Sequence, residues 1–417
     1  MKVLLSLPPN LVGLFHEITG LSRDEFFCAS DPIGHRVGSG GGSVWLLERS
    51  GASGKKILIH AGGESRRLPS YSTSGKVLTP IPEFNTSLLE MQLPLYNDIM
   101  QKAPTGVNTL IASGDVFIRT SVVLEEIPCA DVICYGLEVE SELAKNHGVF
   151  AMKKGCGLEL DFMMQKPSLE RLAEVKTTHN YLMDIGLWLL SDKAVEMLEK
   201  HSKDEEGNIK YYDLYSDFGR CLGQHPEVDD EELNKLSVRI VTLQGGEFYH
   251  YGTSRELISS TMAVLGHKKS VFTQNCVVET DFSEKNSEIW IENSFIGRNW
   301  SISEKNIITG VPRNDWTIDL KPGDCLDIIP IGDKSFVARP YGFNEPFKYV
   351  DAGEEDAFKV KAFPVVDDVE ELGKAVNMIL GGENVNGLYP MVSAEEILNQ
   401  ANLKRLFGQR KSYHDGV

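Results

Sequence analysis

KKILIHAGGESRRLPSYSTSGKVLTP, residues 55–80, decides how this 417-residue chain is read. KKILIH is a short β-branched run bounded by turn residues, which predicts a buried strand. It passes directly into a loop of Gly, Ser and Pro that carries Arg66, Arg67 and Lys76. Without side chains, Gly62 and Gly63 let backbone N–H groups approach phosphate oxygens closely. Arg67 can clamp a phosphate with two parallel donors, and Lys76 adds a mobile point charge. Loops at the C-terminal ends of parallel strands are where open α/β sheets bind ligands. The chemistry this stretch suits is phosphate handling.

Two general phosphate motifs fail here. A P-loop needs G-x-x-x-x-G-K-[ST], but Val77 follows Gly75-Lys76 and Ser70 stands where the first glycine belongs. The dinucleotide fingerprint G-x-G-x-x-G fits Gly38 and Gly40 but meets Ser43 at its last glycine. VGSGGGSVW therefore reads as a flexible glycine-rich loop after a helix over about residues 10–19.

Outward from residues 55–80, strands alternate with helices. SLLEMQLPLYNDIMQ reads as helix, NTLIASGD and ADVICYGL as strands, residues 149–165 as β-rich, and LMDIGLWLL as a buried strand. SDKAVEMLEKHS and YYDLYSDFGRCLG read as helices, LSVRIVTL as strand and SRELISSTMAVLG as helix. The alternation predicts a three-layer α/β domain with a largely parallel sheet over residues 1–266. From about residue 270 the helical periodicity stops. Apolar residues recur every six positions at Phe272, Val278, Trp290, Ile296, Ile302, Ile308, Leu320 and Leu326, with Glu284 and Asn314 breaking the series. Asn275-Cys276 and Asn293-Ser294 lie 18 residues apart, one coil of three six-residue sides. This predicts a parallel β-helix-like domain over 267–345, the alternative being an irregular β-sandwich appendage. Residues 346–417 are mixed and acidic and read as a cap or linker.

Acids outnumber bases 60 to 42, a net charge of −18. That balance argues against a nucleic-acid coat or an anionic-membrane binder. Between residues 55 and 76, however, Lys55, Lys56, Arg66, Arg67 and Lys76 face the single acid Glu64. Positive charge is thus expected where a triphosphate would sit. Seven cysteines with no C-x-x-C pair speak against a disulfide framework or zinc cluster and suit a reducing compartment. Pro8 and Pro9 end the N-terminal apolar run too early for a signal peptide, and no window of about 20 residues is apolar enough to span a bilayer. A cytoplasmic protein without nucleic-acid or membrane partners is expected.

Ala61, Gly62, Gly63, Arg67, Leu68, Lys76 and Pro80 match the sugar-nucleotide pyrophosphorylase pattern, strand–A-G-G-x-x-x-R-L…K-x-x-x-P. Ser65 replaces that pattern's third glycine and Gly75 the proline before the lysine. Both departures agree with A-G-G-x-S-x-R-L-P…G-K of the fucose-1-phosphate guanylyltransferases. The chain resembles the nucleotidyltransferase half of the bacterial bifunctional fucokinase/fucose-1-phosphate guanylyltransferases. Further matching stretches include LSLPPNLV, GSGGGSVWLLE, TLIASGDV, LDFMMQKPSL, LMDIGLWLLSD, GGEFYHYGTSRELISST and FVARPYGF, across nearly all of residues 1–345. The resemblance implies a Rossmann-like sugar nucleotidyltransferase domain followed by a parallel (left-handed) β-helix-like domain. It implies GTP and L-fucose 1-phosphate as substrates, with Mg²⁺. The family's kinase half carries a P-x-x-x-G-x-x-S-S loop that these residues lack, so fucokinase activity is not expected from them, although fusion to or work beside a fucokinase is.

Site residues follow from the same resemblance. Ala61, Gly62, Gly63, Ser65, Arg66 and Gly114 are expected around the nucleotide, with Arg67 and Lys76 catalytic. Asp115 ends NTLIASGD, where a carboxylate can hold Mg²⁺, or simply cap the next turn. Lys166 of Gln165-Lys166-Pro167 matches a lysine that contacts the sugar phosphate; the bland reading is a surface lysine. Asp184 lies in an apolar strand and needs a partner: a sugar hydroxyl, the metal, or a buried salt bridge. His250 of FYHYGT stands where many pyrophosphorylases carry a second metal-binding Asp; it is a poorer Mg²⁺ ligand, or a core histidine. Asp213 and Asp217, four apart, read as a solvated helix face. The expected reaction is in-line attack of the sugar phosphate on the nucleotide α-phosphorus. Rival readings are another base or sugar, such as UTP with a hexosamine phosphate, a non-catalytic sugar-nucleotide sensor, and an acyltransferase.

Overall fold

The computed structural model describes residues 1–416 except 33–34, 125 and 269. Internal contacts divide the chain into two units that interleave in sequence. The first comprises Met1–Leu7, Leu21–Gly62 and Leu89–Phe248; the second comprises Pro8–Gly20, Gly63–Leu88 and Tyr249–Val417. This grouping differs from a division by chain order at 266 and 345, because residues 63–88 leave the strand Lys56–His60 and fold with the second unit.

A nine-stranded sheet forms the centre of the first unit. Phe26–Ala29, Lys2–Ser6, Lys56–His60 and Val107–Ser113 run parallel in that order, with Ser6 beside His60 and His60 beside Ser113. The long strand His179–Ser191 then runs antiparallel to Val107–Ser113, Val132–Leu137 and Gly148–Lys153. The sheet is therefore mixed rather than largely parallel, and the reversal comes at LMDIGLWLL. Lys2–Ser6, which reads from sequence only as an apolar run, is an internal strand. Trp188, Phe150, Met163, Leu214 and Phe218 pack in the core against the sheet.

Three local readings are corrected. VGSGGGSVW is not a loop: Gly38–Ser50 is a helix. Gly40 and Gly41 donate their N–H groups to the Tyr212 carbonyl at 2.9 and 3.0 Å. A Cβ on Gly40 would lie 2.9 Å from that oxygen, and one on Gly41 2.8 Å from the Lys210 carbonyl. The glycines allow backbone to meet backbone, at the cost of helix propensity. Asp213 and Asp217 are not a solvated face either. Asp213 caps the short helical turn Leu214–Phe218, accepting from Tyr215 and Ser216 N–H and from Ser39 Oγ, while Asp217 accepts from the Asp213 N–H. The predicted helix at 10–19 is two short helices, Pro9–Val12 and Phe15–Thr19.

In the second unit, short parallel strands pair across steps of 17 or 18 residues: Val271 with Ile289, Ile289 with Asn306, and Ile308 with Leu326. Val277 pairs with Phe295, and Trp300 with Ile318, in two further narrow sheets. The corners recur at the same step in left-handed backbone: Asn275, Asn293 and Gly310, with φ of 47°, 53° and 75°. Asparagine and glycine tolerate that conformation best. Inward residues Ile289, Ile291, Ile296, Ile308, Ile318 and Leu326 share a core with Leu372, Ala375 and Val376 of the helix Val369–Leu380. The C-terminal segment is thus part of this core. The stack continues into the antiparallel hairpin Asp324–Ile331 and Ser335–Gly342. No helix among the described residues is long and apolar enough to cross a membrane.

Candidate functional site

The candidate residues fall into one set in each unit. In the first unit, three parallel strands end in register at Ser6, His60 and Ser113. Ala61 N–H donates to the Ser6 carbonyl at 3.0 Å, and Gly114 N–H to the His60 carbonyl at 2.8 Å. A Cβ on Gly114 would lie 2.7 Å from that carbonyl and 2.9 Å from the Ala61 Cα, so only glycine lets the two turns cross this closely. Ala61, Gly62, Gly114 and Asp115 are thereby gathered at one sheet edge. The Asp115 Oδ1 accepts from Ser113 Oγ at 2.7 Å.

Asp184 lies one strand over, at an irregularity in the ladder of His179–Ser191. Its Oδ1 accepts from the Gly186 N–H at 2.8 Å and from Trp188 Nε1 at 3.1 Å. No cation pairs with it among the described residues, so of the three partners its burial calls for, the structure shows dipoles in place of a salt bridge. Burial pushes its carboxyl up to about 6, against those two hydrogen bonds. A Cβ on Gly186 would lie 3.5 Å from Ser113 Cβ and 3.8 Å from the Tyr215 hydroxyl. Asp115, bonded to Ser113, and Asp184, bonded to Gly186, thus flank one contact. Burial, with the charges of Asp184, Asp213 and Asp115, raises the Tyr215 phenol well above its ordinary value.

Lys166 is exposed and left-handed, with φ 46°, although it precedes a proline that favours extended backbone. Strain of this kind clusters at ligand sites, though it does not by itself separate a ligand contact from a surface lysine. Its N–H donates to the His147 carbonyl at 3.0 Å. Beside it, Gln165 Nε2 is buried with no hydrogen-bond acceptor among the described residues. A Cβ on Gly148 would lie 2.9 Å from Gln165 Nε2 and 3.1 Å from Asp184 Cβ, which places the amide and the carboxylate around one glycine. Sequence reasoning does not single out Gln165; its place in Q-K-P is the available signal. It also misses His60. Burial holds that imidazole down at about 4, against the charge of Asp213, and Ser43 Oγ meets its Nε2 at 2.9 Å.

The second unit holds the rest of the loop. Gly63 has φ 103° and Ser65 φ 49°, and the Leu68 N–H closes the turn on the Ser65 carbonyl at 3.0 Å. Arg66, expected at the nucleotide, is engaged by carboxylates of its own unit. Its guanidinium forms a fork on Asp356 at 2.8 and 3.0 Å, turns Nε to Glu64, and lies 4.4 Å from the Phe358 ring centre. Lys76 opens the turn Lys76–Leu78 after Gly75, whose φ is 78°. His250 Nδ1 donates to Glu256 at 3.0 Å, and Glu256 also accepts from Thr253 Oγ1 at 2.9 Å. Burial pushes the Glu256 carboxyl up, but His250, Thr253 and the charge of Arg67 hold it below its ordinary value. The structure therefore brings Arg67, His250 and Glu256 together. Sequence reasoning misses Glu256, although T-x-x-E at the start of the helix Ser254–Leu265 is a capping-box signature.

The local excess of positive charge is smaller than the count implies. Lys55 Nζ binds the carbonyls of Met100 and Ala103 at 2.7 and 3.0 Å, and Lys56 Nζ that of Gly54 at 2.9 Å. Both stand at the start of the strand, remote from His60, roughly 13 to 16 Å away by the rise of extended chain. No group of three or more His, Cys, Asp or Glu side chains placed to hold a metal occurs among the described residues. Mg²⁺ commonly takes one or two carboxylates, with water and substrate phosphates completing its shell. Asp115 with Asp184 fits that modest requirement.

The fucose pyrophosphorylase domain matches residues 52–364. An L-fucokinase/L-fucose-1-P guanylyltransferase of Bacteroides fragilis is 47% identical, aligned over 100% of this chain and 51% of its own. A fucose-1-phosphate guanylyltransferase of Homo sapiens is 24% identical over 71% of this chain and 64% of its own. This chain thus spans about half the length of the bacterial relative. A solved mannose-1-phosphate geranyltransferase of Thermus thermophilus aligns at 14% identity over 79% of this chain and 99% of its own, at a TM-score of 0.36. On the extent of the domain match and the identity to the bacterial relative, the chain belongs to the fucose pyrophosphorylase family.

Proposed function

We propose that the chain is a fucose-1-phosphate guanylyltransferase, converting GTP and L-fucose 1-phosphate to GDP-L-fucose and pyrophosphate. The observation that carries this reading is the family match over residues 52–364, which includes every candidate residue of both units. A phosphate monoester is already a competent nucleophile, so the protein's task is positioning and charge neutralisation. Ala61, Gly62, Gly63 and Ser65 offer backbone to the nucleotide phosphates, with Gly114 admitting the close turn. Arg67 holds the β- and γ-phosphates, and Lys76 meets charge developing on the α-phosphate. Lys166 orients the sugar phosphate, and Asp184 and Gln165 offer an acceptor and a donor to the sugar. Asp115, with Asp184, would hold Mg²⁺, which when bound neutralises phosphate charge. Arg66 joins only if phosphate displaces Asp356. Asp184 is the candidate for the carboxylate that His250 does not supply, while Glu256 serves as the partner of His250 and Thr253.

The parallel stack of the second unit we read as a short left-handed β-helix, its sides about six residues long. The protein is taken to be cytoplasmic and to work with or be joined to a fucokinase, which would supply the sugar phosphate. The test is pyrophosphate release from GTP and L-fucose 1-phosphate, with and without Mg²⁺. Turnover that vanishes on chelation and returns on adding Mg²⁺ is expected. Nucleotide binding without turnover under any metal would overturn the enzymatic reading.

A further inference from the structure

Pro69-Ser70-Tyr71-Ser72 lies between Arg67 and Lys76, and each of the four gives a polar atom to the strands of its own unit. The Pro69 carbonyl accepts from Arg339 Nη2 at 2.6 Å, and Ser72 Oγ faces Arg339 Nη1 at 3.3 Å. Ser70 Oγ and the Tyr341 hydroxyl share a hydrogen bond of 3.1 Å. The Tyr71 hydroxyl accepts from Trp290 Nε1 at 2.8 Å. All of these residues are buried, Tyr71, Trp290 and Tyr341 completely.

Behind this row stands a second. Arg339 Nη2 and Nε meet Asp327 Oδ2 at 2.9 and 3.3 Å, and Asp327 Oδ1 accepts from Thr309 Oγ1 at 2.7 Å. Thr309, Asp327 and Arg339 sit on three neighbouring strands, Asn306–Thr309, Asp324–Ile331 and Ser335–Gly342. A buried ion pair contributes little net stability compared with apolar packing; its best-attested value is in fixing one arrangement. A loop of Gly, Ser and Pro has no ladder of its own to fix it. Every backbone and side-chain anchor named here falls between the two cations that the reaction needs in place.

We infer that Arg339 and Tyr341 are positioning residues: through Pro69, Ser70 and Ser72, the strand stack sets where Arg67 and Lys76 stand. The inference rests on the guanylyltransferase reading for what the loop does. It gives the second unit's strands a part in the reaction without any contact with substrate.

The test uses the full chain with Tyr341→Phe, Ser70→Ala, the double variant and Arg339→Lys. Pyrophosphate release is followed while GTP and L-fucose 1-phosphate are varied in turn, GTP affinity is measured by calorimetry, and melting temperature is recorded. Each single hydroxyl deletion is expected to lower kcat/KM for GTP about tenfold, with KM for the sugar phosphate changed less than about twofold. The double variant should be no worse than either single, because both remove one link. Arg339→Lys, which keeps the charge but not the fork, should lose more. Wild-type kcat/KM in the single variants, multiplying losses in the double, or a loss shared equally by both substrates and tracking the melting temperature, would each overturn the inference. Should wild-type protein release no pyrophosphate, the guanylyltransferase reading fails on its own, and unaltered GTP affinity in all variants then overturns the positioning role too.

Discussion

Asp115 and Asp184 stand at one sheet edge but differ in chemistry. Asp115 is bound by a serine hydroxyl, whereas Asp184 is buried among dipoles and resists ionisation. Asp115→Ala and Lys76→Ala are expected to cut turnover by about a hundredfold or more with an unchanged melting temperature; near-normal pyrophosphate release from either would remove its assigned role. Asp184 makes a separate expectation. Its carboxyl titrates at about 6 in the folded chain against an ordinary 3.8, so folding takes up a proton between those values. That contribution to stability is complete below about pH 4 and is lost as pH rises through about 6, of the order of 3 kcal/mol in all. Asp184→Asn should flatten the melting temperature across this window relative to wild type; parallel curves would contradict it. At this scale the sequence is readable where a residue's reason is local. Gly62, Gly114 and Asp115 follow a strand end. Asp213 misleads because its partner Ser39 lies 174 residues away. Arg66 looks available for the same reason, since Asp356 is 290 residues distant.

Elements are legible in proportion to their periodicity. The six-residue recurrence at Trp290, Ile296 and Ile308 reappears as parallel pairs at steps of 17 or 18 residues. The helix Gly38–Ser50 is invisible in sequence because its glycines serve a contact with residues 210–212, not an apolar face. The reversal at His179–Ser191 is hidden because a strand buried on both faces reads the same in either direction. The corners of the stack offer a paired test. Gly310 and Gly323 both have positive φ, 75° and 81°, but a Cβ on Gly310 would overlap the Ile328 carbonyl while one on Gly323 meets open space. Gly323→Ala should cost about 1 kcal/mol, the price of left-handed backbone alone. Gly310→Ala should cost about 3 kcal/mol or more by adding overlap. Equal costs in urea denaturation would show that the corner contact is not what holds the parallel strands in step.

For the whole molecule, the net charge of −18 excludes little by itself, since a small polyanion needs only a few cations in place. The structure reduces those to fewer than the sequence count, with Lys55 and Lys56 on backbone carbonyls and Arg66 on carboxylates. Substrate choice is the property that neither charge nor fold specifies. The most direct measurement is therefore a panel of the four ribonucleoside triphosphates against L-fucose, mannose, glucose and N-acetylglucosamine 1-phosphates, scored by kcat/KM for pyrophosphate release with Mg²⁺. GTP with L-fucose 1-phosphate should exceed every other pair by at least about tenfold. A higher value for UTP with a hexosamine phosphate, or for any other pair, would contradict the account.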